Sequence, residues 1–283
     1  DGASIYELLD TEKVTITAAV PTVWLGLLGY LRENNLKLPH LRKVVIGGSA
    51  VPEAILRAFE TEFEVDVIHA WGMTETSPVS TQTSVDDPVD RRVSTIGRIQ
   101  PHLEVKIIDG DGRIVPAGET GELCTRGYSV MRGYWGDADR TAEAIDAGRW
   151  MHTGDLATMD DAGYFNIVGR IKDMVIRGGE NLYPREIEEF LYRHPKIADV
   201  QVFGVPDEKY GEELCAWIKL ADGETAEPQE IAAFCDGQIA HQKVPRYIRF
   251  VDAFPMTVTG KVQKFVMRDE MIAELGLTAA KSA

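Results

Sequence analysis

Val14–Asn34 reads VTITAAVPTVWLGLLGYLREN, and the change of period inside it decides the fold. Its first seven residues are apolar or β-branched, which predicts a buried strand. Pro21 then stands where the first helical turn tolerates it, and Leu, Trp and Tyr follow at helical spacing. The pattern repeats downstream. Leu41–Ile46, LRKVVI, is a second apolar strand ending in Gly47-Gly48-Ser49. Pro52 then opens PEAILRAFETEF, and Val65–His69 is a third strand. The order βαβαβ predicts a parallel sheet covered by helices. Ligands of such sheets bind outside the carboxyl ends of the strands, where both Gly47-Gly48-Ser49 and Trp71-Gly72 fall.

The texture changes twice beyond this point. Residues 92–169 carry short strands (LEVKIID, GELCTRG, GYFNIVG) between Gly/Asp-rich turns, the pattern of an antiparallel unit. After Gly169 come a helix PREIEEFLYRH, strands at Asp199–Val205 and Glu213–Leu220, and a helix at Pro228–Ala240. A strand RYIRFVD and a helix KFVMRDEMIAEL close the series. The expected fold class is α/β: a parallel α/β subdomain (1–91) and a β-rich subdomain (92–169) that reads as a barrel or a sandwich. A small C-terminal α+β domain (170–283) follows, the joint falling around Gly169-Arg170-Ile171-Lys172-Asp173.

Composition narrows the function. The chain has 283 residues, 44% of them hydrophobic, and a net charge of -15. So acidic a surface disfavours nucleic acid as a partner. No apolar run reaches membrane-spanning length and no signal peptide is visible, so a cytoplasmic protein is expected. Cys124, Cys215 and Cys235 show no CxxC spacing and read as reduced thiols. The six histidines lack metal-ligand spacing.

Four clusters carry candidate chemistry. The first is Gly47-Gly48-Ser49-Ala50 at a strand end. The second is His69–Glu75, HAWGMTE: an aromatic face for a base at Trp71, glycine for close approach at Gly72, then Met73, and Thr74 with Glu75 for phosphate and metal. The third is Thr153-Gly154-Asp155-Leu156, read as a turn after Trp150 whose carboxylate can accept the hydroxyls of a ribose. The fourth is GRIKDMVIRGGENLYPREIE, in which Arg170 and Lys172 stand at a domain joint and Gly178-Gly179 line a passage. Thr259-Gly260-Lys261 follows much later. Gly47–Ala50 alone equally fits a helix approach turn, and each of the other three alone reads more readily as an ordinary strand end or solvated turn. No GxGxxG or GxxxxGK[ST] loop occurs.

Together the clusters are specific. The chain resembles the acyl-adenylate-forming (AMP-binding) superfamily of acyl-CoA synthetases, peptide-synthetase adenylation domains and beetle luciferases. The resemblance rests on GGSA, WGMTE, GELCTRGYSVMRGYW, TGD, GRIKDMVIRGGENLYPREIE and PMTVTGK, met in family order. HAWGMTE, AWGMTETSP and NLYPREIE look most like medium- and long-chain fatty acyl-CoA ligases. The resemblance implies that Trp71 packs on adenine, that the main chain of Gly47–Ala50 flanks the base, and that His69 faces its amine. Asn, Asp or Gln is more usual at the His69 position. Thr74 would lie near phosphate, Glu75 would hold magnesium, and Asp155 and Arg170 would take the ribose. Lys172 would be the hinge, and Lys261 would bond the attacking carboxylate and the phosphate. Gly178-Gly179 would line the pantetheine passage. By position and charge, Lys243 and Arg246 are candidates for the phosphates of coenzyme A. Val20-Pro21-Thr22 and Trp24 resemble the border of the acyl pocket, and for Trp24 a place in the core fits equally.

The cofactors implied are ATP/AMP, Mg2+ and coenzyme A, and the substrate a fatty acid. The phosphate loop of the family would precede Asp1, so this chain alone is expected to be a truncated, inactive portion. An uncovered sheet edge would favour a homodimer or aggregation. Two alternatives are an enzyme that passes the acyl group to a carrier protein, and a fragment recognised by an acetyltransferase or deacetylase acting on Lys261.

Overall fold

The computed structural model describes residues 1–48, 53–257 and 261–277. The chain divides into two compact units, Asp1–Ile167 and Val168–Ala283.

Unit 1 begins with a helix that the sequence pattern had not assigned, α1 (Gly2–Thr11), capped by the Asp1 carboxylate, which accepts from the Ser4 N–H at 2.9 Å. Then come β1 (Ile16–Ala19), α2 (Pro21–Glu33), β2 (Lys43–Gly47), α3 (Glu53–Glu62) and β3 (Asp66–Trp71). β1, β2 and β3 pair in parallel, as the alternating periods predict. α2 buries Trp24, Leu27, Leu28 and Leu31, the spacing of one helical face. Trp24 meets Phe59 of α3 edge-on at 5.3 Å and donates its indole N–H to the Ala19 carbonyl at 3.1 Å, which places it in the core.

The first sheet continues past the α/β pattern. β4 (Thr81–Gln82) returns antiparallel to β3, α4 (Val89–Ser94) follows, and β5 (Arg98–Ile99) closes the order β1-β2-β3-β4-β5. Two-residue strands carry no periodicity, so the sequence offered no sign of them. β6 (Leu103–Ile108), β7 (Gly121–Gly127), the short helix α5 (Ala138–Ala144), β8 (Met151–Met159) and β9 (Phe165–Arg170) follow, the four strands forming a second sheet in chain order.

Thr153-Gly154-Asp155 is not the turn expected from its residue types. It lies inside the nine-residue β8, where the pairing with β7 slips: Glu122 faces Leu156, yet Cys124 faces His152. Two residues of β7 thus span four of β8, and the extra residues form a bulge. Bulges re-aim a side chain without ending a strand.

Unit 2 holds the strands β10 (Val175–Arg177) and β11 (Glu180–Leu182), the helix α6 (Pro184–Leu191), the long strands β12 (Ile197–Asp207) and β13 (Gly211–Leu220), α7 (Pro228–Cys235), β14 (Tyr247–Phe250) and α8 (Lys264–Leu275). Alternate residues of β12 and β13 face opposite sides. Val200, Val202, Leu214 and Ala216 join Ile187 and Leu191 of α6 and Ile231 of α7 in one core. Phe203, Val205, Cys215 and Trp217 join Met267 and Met271 of α8 in another. α7 stops at Cys235, short of the expected Ala240, because Asp236 leaves the helical region and Gly237 turns the chain at φ 68°. Among the described residues, no helix is long and apolar enough to cross a membrane.

All three cysteines are buried. Burial pushes the Cys124 and Cys215 thiols up to about 12 and Cys235 up to about 11. Raised thiol values favour the native state below the ordinary value of 9.0, and that contribution is lost as pH rises above it. The urea midpoint is therefore expected to fall as pH climbs from 9.0 toward about 12, and less steeply in a Cys215→Ala variant. A disulfide exchange reagent should find no native thiol near neutral pH, and all three in denaturant. Rapid reaction of the folded chain would contradict this account.

Candidate functional site

β2 and β3 deliver two of the predicted clusters to neighbouring strand ends: Gly47 pairs with Ala70, directly before Trp71. Gly47 is half-buried and Gly48 exposed, while Ser49 and Ala50 lie outside the described residues. His69 is buried on β3, and its N–H donates to the Thr83 hydroxyl at 2.9 Å. A side chain on Gly48 would begin 3.2 Å from Val20 Cγ1, so the segment after β1 borders this end of the sheet.

Beyond Trp71 the chain makes a tight 3-10 turn at Thr74–Thr76. Thr76, buried, accepts from the Met73 N–H at 3.1 Å and donates to the Met73 carbonyl at 3.0 Å. This leaves Thr74 exposed and Glu75 half-buried. Gly72 makes a close approach, but to the chain's own backbone: a Cβ there would fall 1.5 Å from the Pro78 carbonyl oxygen. The glycine that was expected to admit a ligand is required by the fold of the loop itself.

The tertiary structure joins this loop to the bulge of β8. The Trp71 indole N–H donates to Asp155 Oδ2 at 3.1 Å, across 84 residues of sequence. Asp155 is only 7% exposed, and its N–H donates to the Thr153 hydroxyl. The same loop meets a residue to which sequence reading gave no role. Tyr134 donates its phenolic proton to Glu75 Oε1 at 2.9 Å, and the Met131 N–H donates to the Glu75 carbonyl at 2.8 Å. Burial, then the Glu75 carboxylate, push the Tyr134 phenol above its ordinary range, so it stays a donor. Its one sequence signal was its place inside GELCTRGYSVMRGYW. Glu75 thus presents a carboxylate held from behind, with the Thr74 hydroxyl one residue away. Both offer hard oxygen donors, which suit magnesium.

The remaining candidates belong to unit 2. Arg170 ends β9, and exposed Lys172 sits in a 3-10 turn at Ile171–Asp173. Gly178 and Gly179, at φ 60° and 86°, form the two-residue loop joining β10 to β11. A type I′ hairpin needs positive φ at both positions, so the local backbone alone accounts for the pair. Lys243 is ion-paired to Glu186 at 2.5 Å, and Arg246 to Asp207 at 3.1 Å with Glu213 4.0 Å away. Neither cation therefore offers its charge to a phosphate without competition. Lys261 is exposed: its N–H donates to the Thr257 hydroxyl at 3.0 Å, and its carbonyl accepts from the Thr257 N–H at 2.8 Å. Thr259 and Gly260 lie outside the described residues.

Comparison with known proteins agrees with this arrangement of motifs. Residues 1–135 match the family of AMP-binding enzymes, and residues 186–261 match the AMP-binding enzyme C-terminal domain. The chain is 48% identical over 283 residues to YngI of Bacillus subtilis, which carries the name of an acyl-CoA synthetase. The match covers 99% of this chain and 52% of that protein. Human ACSF2, named a mitochondrial medium-chain acyl-CoA ligase, is 43% identical over 98% of this chain and 45% of its own length. The chain thus spans about half the length of these curated relatives. Among solved structures, the amide bond synthetase McbA of Marinactinospora thermotolerans superposes with a TM-score of 0.86 at 31% identity. It covers 96% of this chain and 55% of its own.

Proposed function

The chain belongs to the acyl-adenylate-forming, AMP-binding enzyme family, and on that premise we propose that the whole protein converts a medium- or long-chain fatty acid to its coenzyme A thioester. The acid's carboxylate oxygen attacks the α-phosphorus of ATP and pyrophosphate leaves. The thiol of coenzyme A, giving up its proton, then attacks the acyl carbonyl, the acyl carbon–oxygen bond breaks, and AMP leaves with that oxygen and the electron pair. One observation carries this reading: the Trp71–Asp155 hydrogen bond, which brings a base-stacking surface and a ribose-accepting carboxylate into one wall.

Trp71 presents its ring to adenine while Asp155 fixes the indole from the side. Thr74 donates its hydroxyl to a phosphate oxygen. Glu75, oriented by Tyr134, is the residue that would hold magnesium, and the ion when bound supplies positive charge against the crowded phosphates. From the resemblance of GRIKD and PMTVTGK to the family's motifs, we assign Arg170 to the ribose, Lys172 to the hinge, and Lys261 to the charge of the attacking carboxylate and the phosphate. Exposed Val20 beside Gly48, with Val23 exposed on α2, suits an apolar acyl chain, and the relative named for medium-chain acids supports that choice. Exposed Lys261 also suits acetylation, which would remove its charge.

The decisive experiment supplies the whole protein with ATP, magnesium, coenzyme A and fatty acids of increasing length, reading pyrophosphate and thioester together. Both products are expected, with a preference for medium or long chains. The likeness to an amide bond synthetase favours one second reading, in which an amine or a carrier thiol is the acceptor. Acid-dependent pyrophosphate without thioester would establish it, and no pyrophosphate with any acid would remove both. In the same assay Asp155→Asn is expected to raise the KM for ATP about 10- to 100-fold. The loss is that of one or two charge-assisted hydrogen bonds at about 1.5 kcal/mol each. An unchanged KM would show that Asp155 does not touch the nucleotide.

A further inference from the structure

Glu122, Cys124 and His152 stand together beside the bulge of β8, and none of them has a part in the proposed reaction. Glu122 and Cys124 are two apart on β7 and so share one face, and Cys124 pairs with His152 across the ladder. His152 Nδ1 lies 2.8 Å from Glu122 Oε2 and 3.7 Å from Cys124 Sγ, and the three ligand atoms lie within 4.8 Å of one another. No other group of three His, Cys, Asp or Glu side chains among the described residues is so placed. We propose that this carboxylate, thiol and imidazole form a site for a borderline-soft divalent cation such as Zn2+, with water as the fourth ligand.

The donor set is that of a three-ligand zinc site with one open position. Tetrahedral bonds of about 2.0–2.3 Å require ligand atoms about 3.3–3.7 Å apart, so the sulfur–nitrogen spacing already fits. The carboxylate oxygen must withdraw from Nδ1 by about half an ångström and close on the sulfur, since the three atoms now span up to 4.8 Å, the metal replacing the proton between oxygen and nitrogen. The surroundings fit as well. Behind the imidazole, Asp146 Oδ2 lies 3.9 Å from His152 Nε2, in reach of an N–H there after modest adjustment. Such a carboxylate commonly orients a metal-bound histidine. The His152 side chain is 30% exposed, which gives the ion a route in, while Cys124 closes the floor.

Charge and protons balance. On binding, the imidazole proton moves from Nδ1 to Nε2, facing Asp146. The Cys124 thiol, held up to about 12 by burial and by Glu122, gives its proton to solvent. One carboxylate and one thiolate then neutralise the dication. One proton released per ion means an affinity that rises about tenfold per pH unit near neutrality. Glu122 Oε1 also accepts the Gly154 N–H at 3.0 Å, so an ion on the other oxygen would tie down the strand that carries Asp155.

The test uses the 283-residue chain without a histidine tag, titrated with Co2+ and then with Zn2+. One equivalent of Co2+ is expected to raise a thiolate-to-cobalt charge-transfer band that Zn2+ abolishes. Cys124→Ser should remove the band, Cys215→Ser and Cys235→Ser should keep it, and Asp146→Asn should weaken binding about 10- to 100-fold. Should Cys124→Ser fail to fold, the part-exposed variants His152→Ala and Glu122→Gln make the same test, each lowering cobalt affinity at least as far. No band at stoichiometric cobalt, a band indifferent to His152 and Glu122, or one that depends on Cys215 or Cys235 would overturn the proposal.

Discussion

Gly72→Ala is expected to destroy the loop that carries Trp71, Thr74 and Glu75, with a loss of about 3 kcal/mol or more in stability. A Cβ at this position would lie 1.5 Å from the Pro78 carbonyl oxygen, 2.5 Å from its carbon and 2.9 Å from Val79 Cα. All three are backbone atoms, so no rotamer change relieves the overlap. Nor can the opposing segment simply retreat. The Ser80 N–H donates to the Trp71 carbonyl at 3.0 Å, and Trp71 is in register with Thr81 of β4. Moving Pro78 away breaks the β3–β4 return and pulls the indole from Asp155. Urea denaturation followed by tryptophan fluorescence measures the effect. Gly110→Ala is the control: nothing lies within 4 Å of a Cβ there, and its cost should stay within about 0.5 kcal/mol. Equal stability of the two variants would refute the close approach.

Glu213→Ala is expected to cost unit 2 about 3–5 kcal/mol. The Glu213 side chain is 2% exposed on β13, where it accepts from Arg177 Nε at 2.6 Å and from the Leu214 N–H at 3.0 Å. Arg177, itself 17% exposed, stacks on Tyr210 at 4.2 Å and cannot leave its site cheaply. Truncating the acid strands a guanidinium in low dielectric beside Arg246. Glu213→Gln keeps an acceptor for both donors and should lose less. The paired change Arg177→Met with Glu213→Leu should recover most of the loss, since buried ion pairs often add little over well-packed apolar groups. Calorimetry of the three variants beside the parent chain gives the answer. A double variant no better than Glu213→Ala would place the effect in packing rather than in unpaired charge.

The β1-α2-β2-α3-β3 series was legible because each segment repeats its own period: apolar strands, then Trp24, Leu27, Leu28 and Leu31 on one helical face. The motif stretches were legible as strings, and those strings sufficed to expect the family. Their geometry was not. Asp155 was read as sitting on a turn, since Thr-Gly-Asp names turn-forming residues, yet β7 holds it in a strand. Gly178-Gly179 suggested a passage, and positive φ at both residues of a hairpin explains them without a ligand. Lys243 and Arg246 were named for coenzyme A by position and charge, and only the fold shows that each is paired, with Glu186 and with Asp207.

The amino-acid sequence by itself determined the β1-α2-β2-α3-β3 series, the longer strands and helices after it and the positions of the family's motifs, because periods of 2 and 3.6 residues are local properties of the chain. Tertiary structure alone decided that Trp71 meets Asp155 across 84 residues, that Tyr134 holds Glu75 across 59, and that Glu122, Cys124 and His152 converge. The physical reason is register. A slip of pairing between two strands moves every side chain beyond it, and that slip is set by hydrogen bonds to a partner strand that no local pattern encodes.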